Sequence, residues 1–170
     1  KWGSSSKVLC TLLLMTHADE QNFVLAIARP EDAKDIAAAQ EAGWRLYPNV
    51  SVGLTMEDID AKKFGSSEHI EKWEDALKKL DQNKRIWVVR NNVRAVGFSC
   101  GIKNGEQREL KAIYVLPSYH GTGTGQRLME VALQWLEADS HNVSVWVLRH
   151  NERAIAFYRK HGFVETGKTA

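Results

Sequence analysis

The chain has 170 residues, 44% of them hydrophobic, and a formal charge of +2 from 23 basic and 21 acidic side chains. That length and apolar share suit one domain around one core, and so even a charge excludes an electrostatic nucleic-acid binder, leaving room only for a local basic patch. Cys10 and Cys100 are too few for a disulfide scaffold and form no CxxC pair, which fits a reducing, cytoplasmic setting.

Residues 1–15 (KWGSSSKVLCTLLLM) have a basic start and an apolar run. The run is at the short end for a secretory leader, has no small-x-small site behind it, and falls far below the roughly 20 residues a spanning helix needs. Neither export nor membrane insertion is expected. Residues 23–28 (FVLAIA) read as a strand, and Pro30 opens a helix whose Ala33, Ile36, Ala37, Gln40 and Trp44 share one face. Thr55 to Asp58 (TMED) is a capping box with Asp in the acidic place. Ile70, Trp73, Leu77 and Leu80 then recur at helical spacing over residues 67–80.

The period then changes to that of strands, over residues 86–90, 94–102 and 107–116, with Asn91-Asn92 and Asn104-Gly105 between them. Asn104-Gly105 predicts a type I′ hairpin turn. Next comes the stretch that states a chemistry, residues 110–138 (LKAIYVLPSYHGTGTGQRLMEVALQWLEA). Gly121, Gly123 and Gly125 alternate with Thr122 and Thr124 where a helix must begin, so backbone N–H groups can converge on an anion. The spacing is neither that of a dinucleotide fingerprint nor, with no Lys-Ser/Thr behind it, that of a P-loop. Leu128, Met129, Ala132, Leu133 and Leu136 form the buried stripe of that helix. Residues 143–148 (VSVWVL) follow as a strand, giving a parallel strand-helix-strand crossover. Residues 151–160 form a short helix stopped by Gly162, and residues 163–166 begin a further strand.

YHGTGTGQRLM followed by NERAIAFYRKHGF resembles the GCN5-related N-acetyltransferase (GNAT) superfamily. His120, Gly123 and Gly125 occupy the defining places of its acyl-CoA motif, with His120 departing from the usual Gln or Arg. Asn151, Ala154, Phe157, Tyr158, Gly162 and Phe163 match the second motif. The resemblance implies a single α/β domain over residues 1–170, with a mixed, mostly antiparallel central sheet flanked by helices. It implies transfer of acetyl from acetyl-CoA to a primary amine by direct attack in a ternary complex, without a metal. The alternative is a catalytically silent GNAT-fold module that binds CoA as a sensor or partner subunit.

The resemblance also implies roles. Ile113, Tyr114 and Val115 lend strand backbone groups to the pantetheine arm. Amides around Gly121, Thr122, Gly123, Thr124, Gly125 and Gln126 hold the pyrophosphate, with His120 as a phosphate neighbour. Asn151 caps the last helix and contacts the pantetheine arm. Glu109 is the general-base candidate, directly or through water, its plainer reading being a solvated strand residue paired with Lys111 or Arg108; Glu106 is a weaker rival. Tyr158 reprotonates the departing sulfur, or is only a packed aromatic. Cys100 reads as a small buried strand residue, and the six histidines show no ligand spacing.

Trp44, Tyr47 and the loop over residues 48–53 are candidates for the amine pocket, with Glu57 or Asp58 attracting a cation. A small-molecule or protein amine fits, and a homodimer is compatible. Superfamily domains end on one strand more than residues 163–166 supply. Residues 8–14 read as that strand in a circularly permuted order, or as a non-native or upstream extension.

Overall fold

The three apolar runs in the middle of the sequence pair as strands: β2 (Lys84–Arg90), β3 (Ala95–Asn104) and β4 (Gln107–Val115) form an antiparallel meander. The earlier run, β1 (Val24–Ile27), adds antiparallel to β2, and β5 (Val143–Ser144) adds parallel to β4. The result is a five-stranded sheet in the order β1-β2-β3-β4-β5, in a computed structural model that describes residues 22–46, 55–139 and 142–168. The mixed α/β class and mostly antiparallel sheet are as expected.

Helices cover both faces. On β3 the Phe98 ring meets Trp73 of α3 (Ser67–Lys78) at 5.5 Å between centroids, whereas the Ser99 hydroxyl donates to the Leu128 carbonyl of α4 (Thr124–Leu136) at 3.1 Å. Even-numbered positions of β3 therefore face α3, and odd-numbered ones face α4. The stripe on α4 behaves as its period requires: Leu128, Met129, Ala132 and Leu136 are fully buried. Burying each of the larger side chains is worth about 1.5–3 kcal/mol.

Pro30 starts a single 3-10 turn (Pro30–Asp32) that runs into α1 (Ala33–Leu46). The Asp32 carboxylate accepts from the Arg29 amide at 2.7 Å and from Arg90 Nε at 2.9 Å, fixing the start of α1 to β2. Capping by Thr55 gives α2 (Met56–Ala61) as expected, and Asn151 caps α5 (Glu152–Lys160).

One glycine inside α1 has a packing cause. A Cβ on Gly43 would lie 2.3 Å from Cδ1 and 2.7 Å from Cε1 of Tyr114, so the ring rests on the bare helix backbone. Gly43→Ala is expected to lower stability by about 1–3 kcal/mol through overpacking. That outweighs the roughly 0.5–1 kcal/mol Ala would gain in a helix. Thermal unfolding followed by circular dichroism checks the sign, since propensity alone would raise the melting temperature.

Three expectations need correcting. The β3–β4 turn centres on Gly105 and Glu106, because Asn104 pairs with Gln107; only Gly105 has positive φ, at 56°, which is the pattern of a type II′ turn and not type I′. The strand expected through residue 148 stops at Ser144, and Trp146, Val147 and Leu148 are exposed. Alternation in VSVWVL reports extended backbone, whereas a strand also needs a partner, and β4 supplies one only at Arg108 and Glu109. Residues 163–166 likewise carry no strand pairing among the described residues, and Val164 is exposed. The strand expected over residues 8–14, and the permutation drawn from it, lie outside the described residues.

Candidate active site

The site is built where β4 changes register. Glu109 pairs with Ile102 and Leu110 with Gly101, but the next pair is Cys100 with Ala112, so Lys111 is an extra residue on β4. In a regular strand residues 109 and 114 would point to opposite faces. The bulge puts Glu109, Ala112 and Tyr114 opposite Ile102, Cys100 and Phe98, on the face that carries α1 and α3. Parallel pairing to β5 ends at Glu109 and Ser144. Beyond that point β4 has no strand partner on its β5 side among the described residues, so the edge at Ile113, Tyr114 and Val115 is open.

The glycine turn follows directly. Gly121 and Gly123 have φ of 79° and 82°, a left-handed backbone that disfavours any other residue, and Gly123 is the N-cap of α4 with no side chain capping the first turn. The N–H groups of Thr124, Gly125 and Gln126 are thus available to an anion, which the helix dipole also favours. The two threonine side chains are committed elsewhere. Thr122 donates to the Tyr119 carbonyl at 2.7 Å and accepts from the buried Thr124 hydroxyl at 2.8 Å, so both lock the loop. Gln126 donates to Glu130 at 2.8 Å. Ligand contacts from Thr122 and Thr124 would therefore come from their amides.

His120 holds the strand to the loop: its Nε2 lies 3.0 Å from the Val115 carbonyl, which can only accept, so Nε2 carries the proton. Burial, and then the field of Arg153, push its pKa down against the opposing hydrogen bond. Arg153 was not singled out from the sequence. It lines a cavity of about 670 Å³ along α5 together with Arg149, Arg159, Glu152 and Glu165. Its spacing of four from Arg149 was the available signal.

Asn151 Oδ1 accepts from the Ala154 amide at 3.0 Å, and its Nδ2 has no partner among the described residues. Tyr158 is half-buried, its ring 5.9 Å from Phe157 and 5.7 Å from Phe163. Burial, and next the neighbouring Tyr114, push its phenol up to about 12. No described residue hydrogen-bonds its hydroxyl. Glu109 is 27% exposed and ion-paired with Lys111 at 3.3 Å. The structure thus brings together Tyr114 and Tyr158, and puts Glu109 on the Tyr114 face. Glu106 lies exposed in the β3–β4 turn.

Cys100 is buried, and its thiol is pushed up to about 11, which leaves no thiolate for nucleophilic work. Among the described residues no three His, Cys, Asp or Glu side chains gather to hold a metal. Among the described residues no helix is long and apolar enough to cross a membrane.

On the amine side, the Trp44 ring sits under Lys62 at 5.0 Å and against Phe64 at 6.1 Å. Its buried indole N–H makes no hydrogen bond, although it lies close enough to Tyr114 to offset part of the upward push of burial on that phenol. Tyr47 lies outside the described residues. Asp58 is consumed by the α2 cap, accepting from the Thr55 amide at 2.7 Å and hydroxyl at 2.8 Å; Glu57 is exposed.

An open strand edge lies beside an uncapped helix N-terminus, with Asn151 and Tyr158 one helix away. The Acetyltransferase (GNAT) family profile matches residues 54–163. The chain belongs to the GNAT family. It is 30% identical over 120 residues to the peptidyl-lysine N-acetyltransferase YjaB of Escherichia coli, covering 69% of this chain and 76% of that one. It is 38% identical over 90 residues to uncharacterized N-acetyltransferases of Mycobacterium tuberculosis and Mycobacterium bovis, covering 51% of this chain and 57% of those proteins. The chain therefore spans little more than half the length of these mycobacterial relatives. Among solved structures, the PaiA N-acetyltransferase of Thermoplasma acidophilum in complex with coenzyme A has a TM-score of 0.71 at 16% identity, over 87% of this chain and 93% of its own.

Proposed function

We propose that the protein is an acetyl-CoA-dependent N-acetyltransferase that works by direct attack of a primary amine in a ternary complex. The observation that carries the reading is the continuity of the open β4 edge at residues 113–115 with the uncapped N-terminus of α4. Strand amides there suit a pantetheine arm and a polarised carbonyl, and the amides of residues 121–126 suit a pyrophosphate. Arg153 supplies the lasting positive charge that His120, held neutral, does not. Acetyl-CoA brings the thioester; the protein's own groups place it, exclude water and move protons.

As the amine nitrogen bonds to the carbonyl carbon and the carbon–sulfur bond breaks, the Tyr158 hydroxyl donates its proton to the sulfur, and the proton that the nitrogen sheds on becoming an amide restores the phenol. A phenol held protonated and without an internal partner suits that task. Glu109, through water, accepts a proton from the incoming ammonium. The Asn151 Nδ2 donates to the pantetheine arm. Trp44 borders the amine pocket, and the YjaB relative favours a lysine-like primary amine, on a peptide or a small molecule. The pairing of Glu109 with Lys111 is the observation that favours the silent-module alternative, because the carboxylate is already engaged by an ammonium.

Glu109→Gln separates the two. The enzyme reading expects a lower kcat/KM at neutral pH that recovers as pH rises toward the amine's own pKa, where no base is needed. Thiol release from acetyl-CoA measured across pH reads this directly. A rate that is unchanged at every pH would remove Glu109 from the chemistry.

A further inference from the structure

Tyr114 enters the account above only through its backbone, yet its side chain is the most firmly seated group on the cleft face of β4. The ring rests where Gly43 lacks a Cβ, with Phe98, itself fully buried, 5.6 Å behind it and the Trp44 indole beside it. It can retreat neither into α1 nor into the sheet. It also follows the bulge at Lys111, on the same face as Glu109, in the segment of β4 that has lost its β5 partner.

We propose that the Tyr114 ring, seated in the notch of Gly43, is the wall that limits the acyl group of the cosubstrate to acetyl. The inference rests on the acyl-CoA reading of the site. If the sulfur lies within reach of Tyr158 and the carbonyl within reach of the amides at residues 113–115, the acyl chain starts beside Tyr114. Ala112, two residues back on the same face, is small, so Tyr114 is the large side chain that a longer chain meets. A wall that cannot move excludes each added methylene by about 10–200-fold.

The test is calorimetric titration of CoA, acetyl-CoA, propionyl-CoA and butyryl-CoA, which needs no knowledge of the amine. The unaltered protein and Tyr114→Phe are expected to bind acetyl-CoA at least about tenfold more tightly than propionyl-CoA and at least about 100-fold more tightly than butyryl-CoA. Tyr114→Ala is expected to close or invert that gap, read as the ratio of the thioester affinities within the one variant. Tyr114→Leu, which keeps a branched apolar side chain on β4, reads the same change should the alanine variant fail to fold. The inference is overturned if the unaltered protein binds all three thioesters alike, or if the gap survives in the smaller variants. Failure of the unaltered protein to bind any of the four would overturn the acyl-CoA reading itself.

Discussion

Tyr158→Phe is expected to lower kcat by about 100-fold or more, the low end for losing a positioned acid, while leaving the affinity for CoA within a factor of about two. The substitution removes one oxygen and keeps the ring contacts with Phe157 and Phe163, so a loss of rate cannot be charged to packing. The pH profile gives an independent check. Because burial pushes the phenol up to about 12, the group stays protonated and able to donate throughout the neutral and mildly alkaline range. The rate should therefore show no descending limb from Tyr158 below about pH 11. A limb falling near pH 10, absent from the Phe variant, would mean that the phenol titrates at its ordinary value and that its surroundings are wetter than described.

The second large effect separates glycines that a motif treats as equal. Gly123 has φ of 82° and caps α4, so Gly123→Val forces a β-branched residue into the left-handed region. It should cost at least about 1–2 kcal/mol of stability and weaken CoA binding by about tenfold or more as the anion-facing amides turn away. Open space surrounds the position, so strain and not collision is the cause. Gly125 lies inside α4 without positive φ, and an added Cβ would stand 3.6 Å from the Phe157 ring, an ordinary contact. Gly125→Ala should hold or raise stability, by up to about 1 kcal/mol from helix propensity. Chemical denaturation and CoA titration on the two variants read both effects. Equal losses in both would show that the loop tolerates no side chain anywhere, which contradicts the geometry.

Much of this fold was legible because its signals are local. Apolar period found β1 through β4 and the stripe on α4, and residue chemistry found the caps at Thr55 and Asn151. Pairing was not local. Nothing in VSVWVL says that β5 loses its neighbour after Ser144, and nothing in ELKA says that Lys111 is an extra residue, since both depend on where another strand runs. The site was legible to the same degree. The glycine turn announces itself by spacing, whereas Asn151 and Tyr158 stand out only through the resemblance to the GNAT superfamily. That Thr122 and Thr124 spend their hydroxyls on each other and on Tyr119, or that Asp58 is taken by a cap, appears only once side chains have neighbours. Gly43 shows the converse. In sequence it looks like the end of a helix, and in the fold it is an interior position emptied for Tyr114, seventy-one residues away.

The central claim is turnover, and it is tested most directly by thiol release from acetyl-CoA against a panel of primary amines that includes lysine-containing peptides, polyamines, amino acids and an aminoglycoside. The account predicts that at least one amine releases thiol in step with formation of its acetamide, and that Tyr158→Phe abolishes most of that signal. Measurable CoA binding with no release for any amine would contradict it and identify the protein as a silent CoA-binding module.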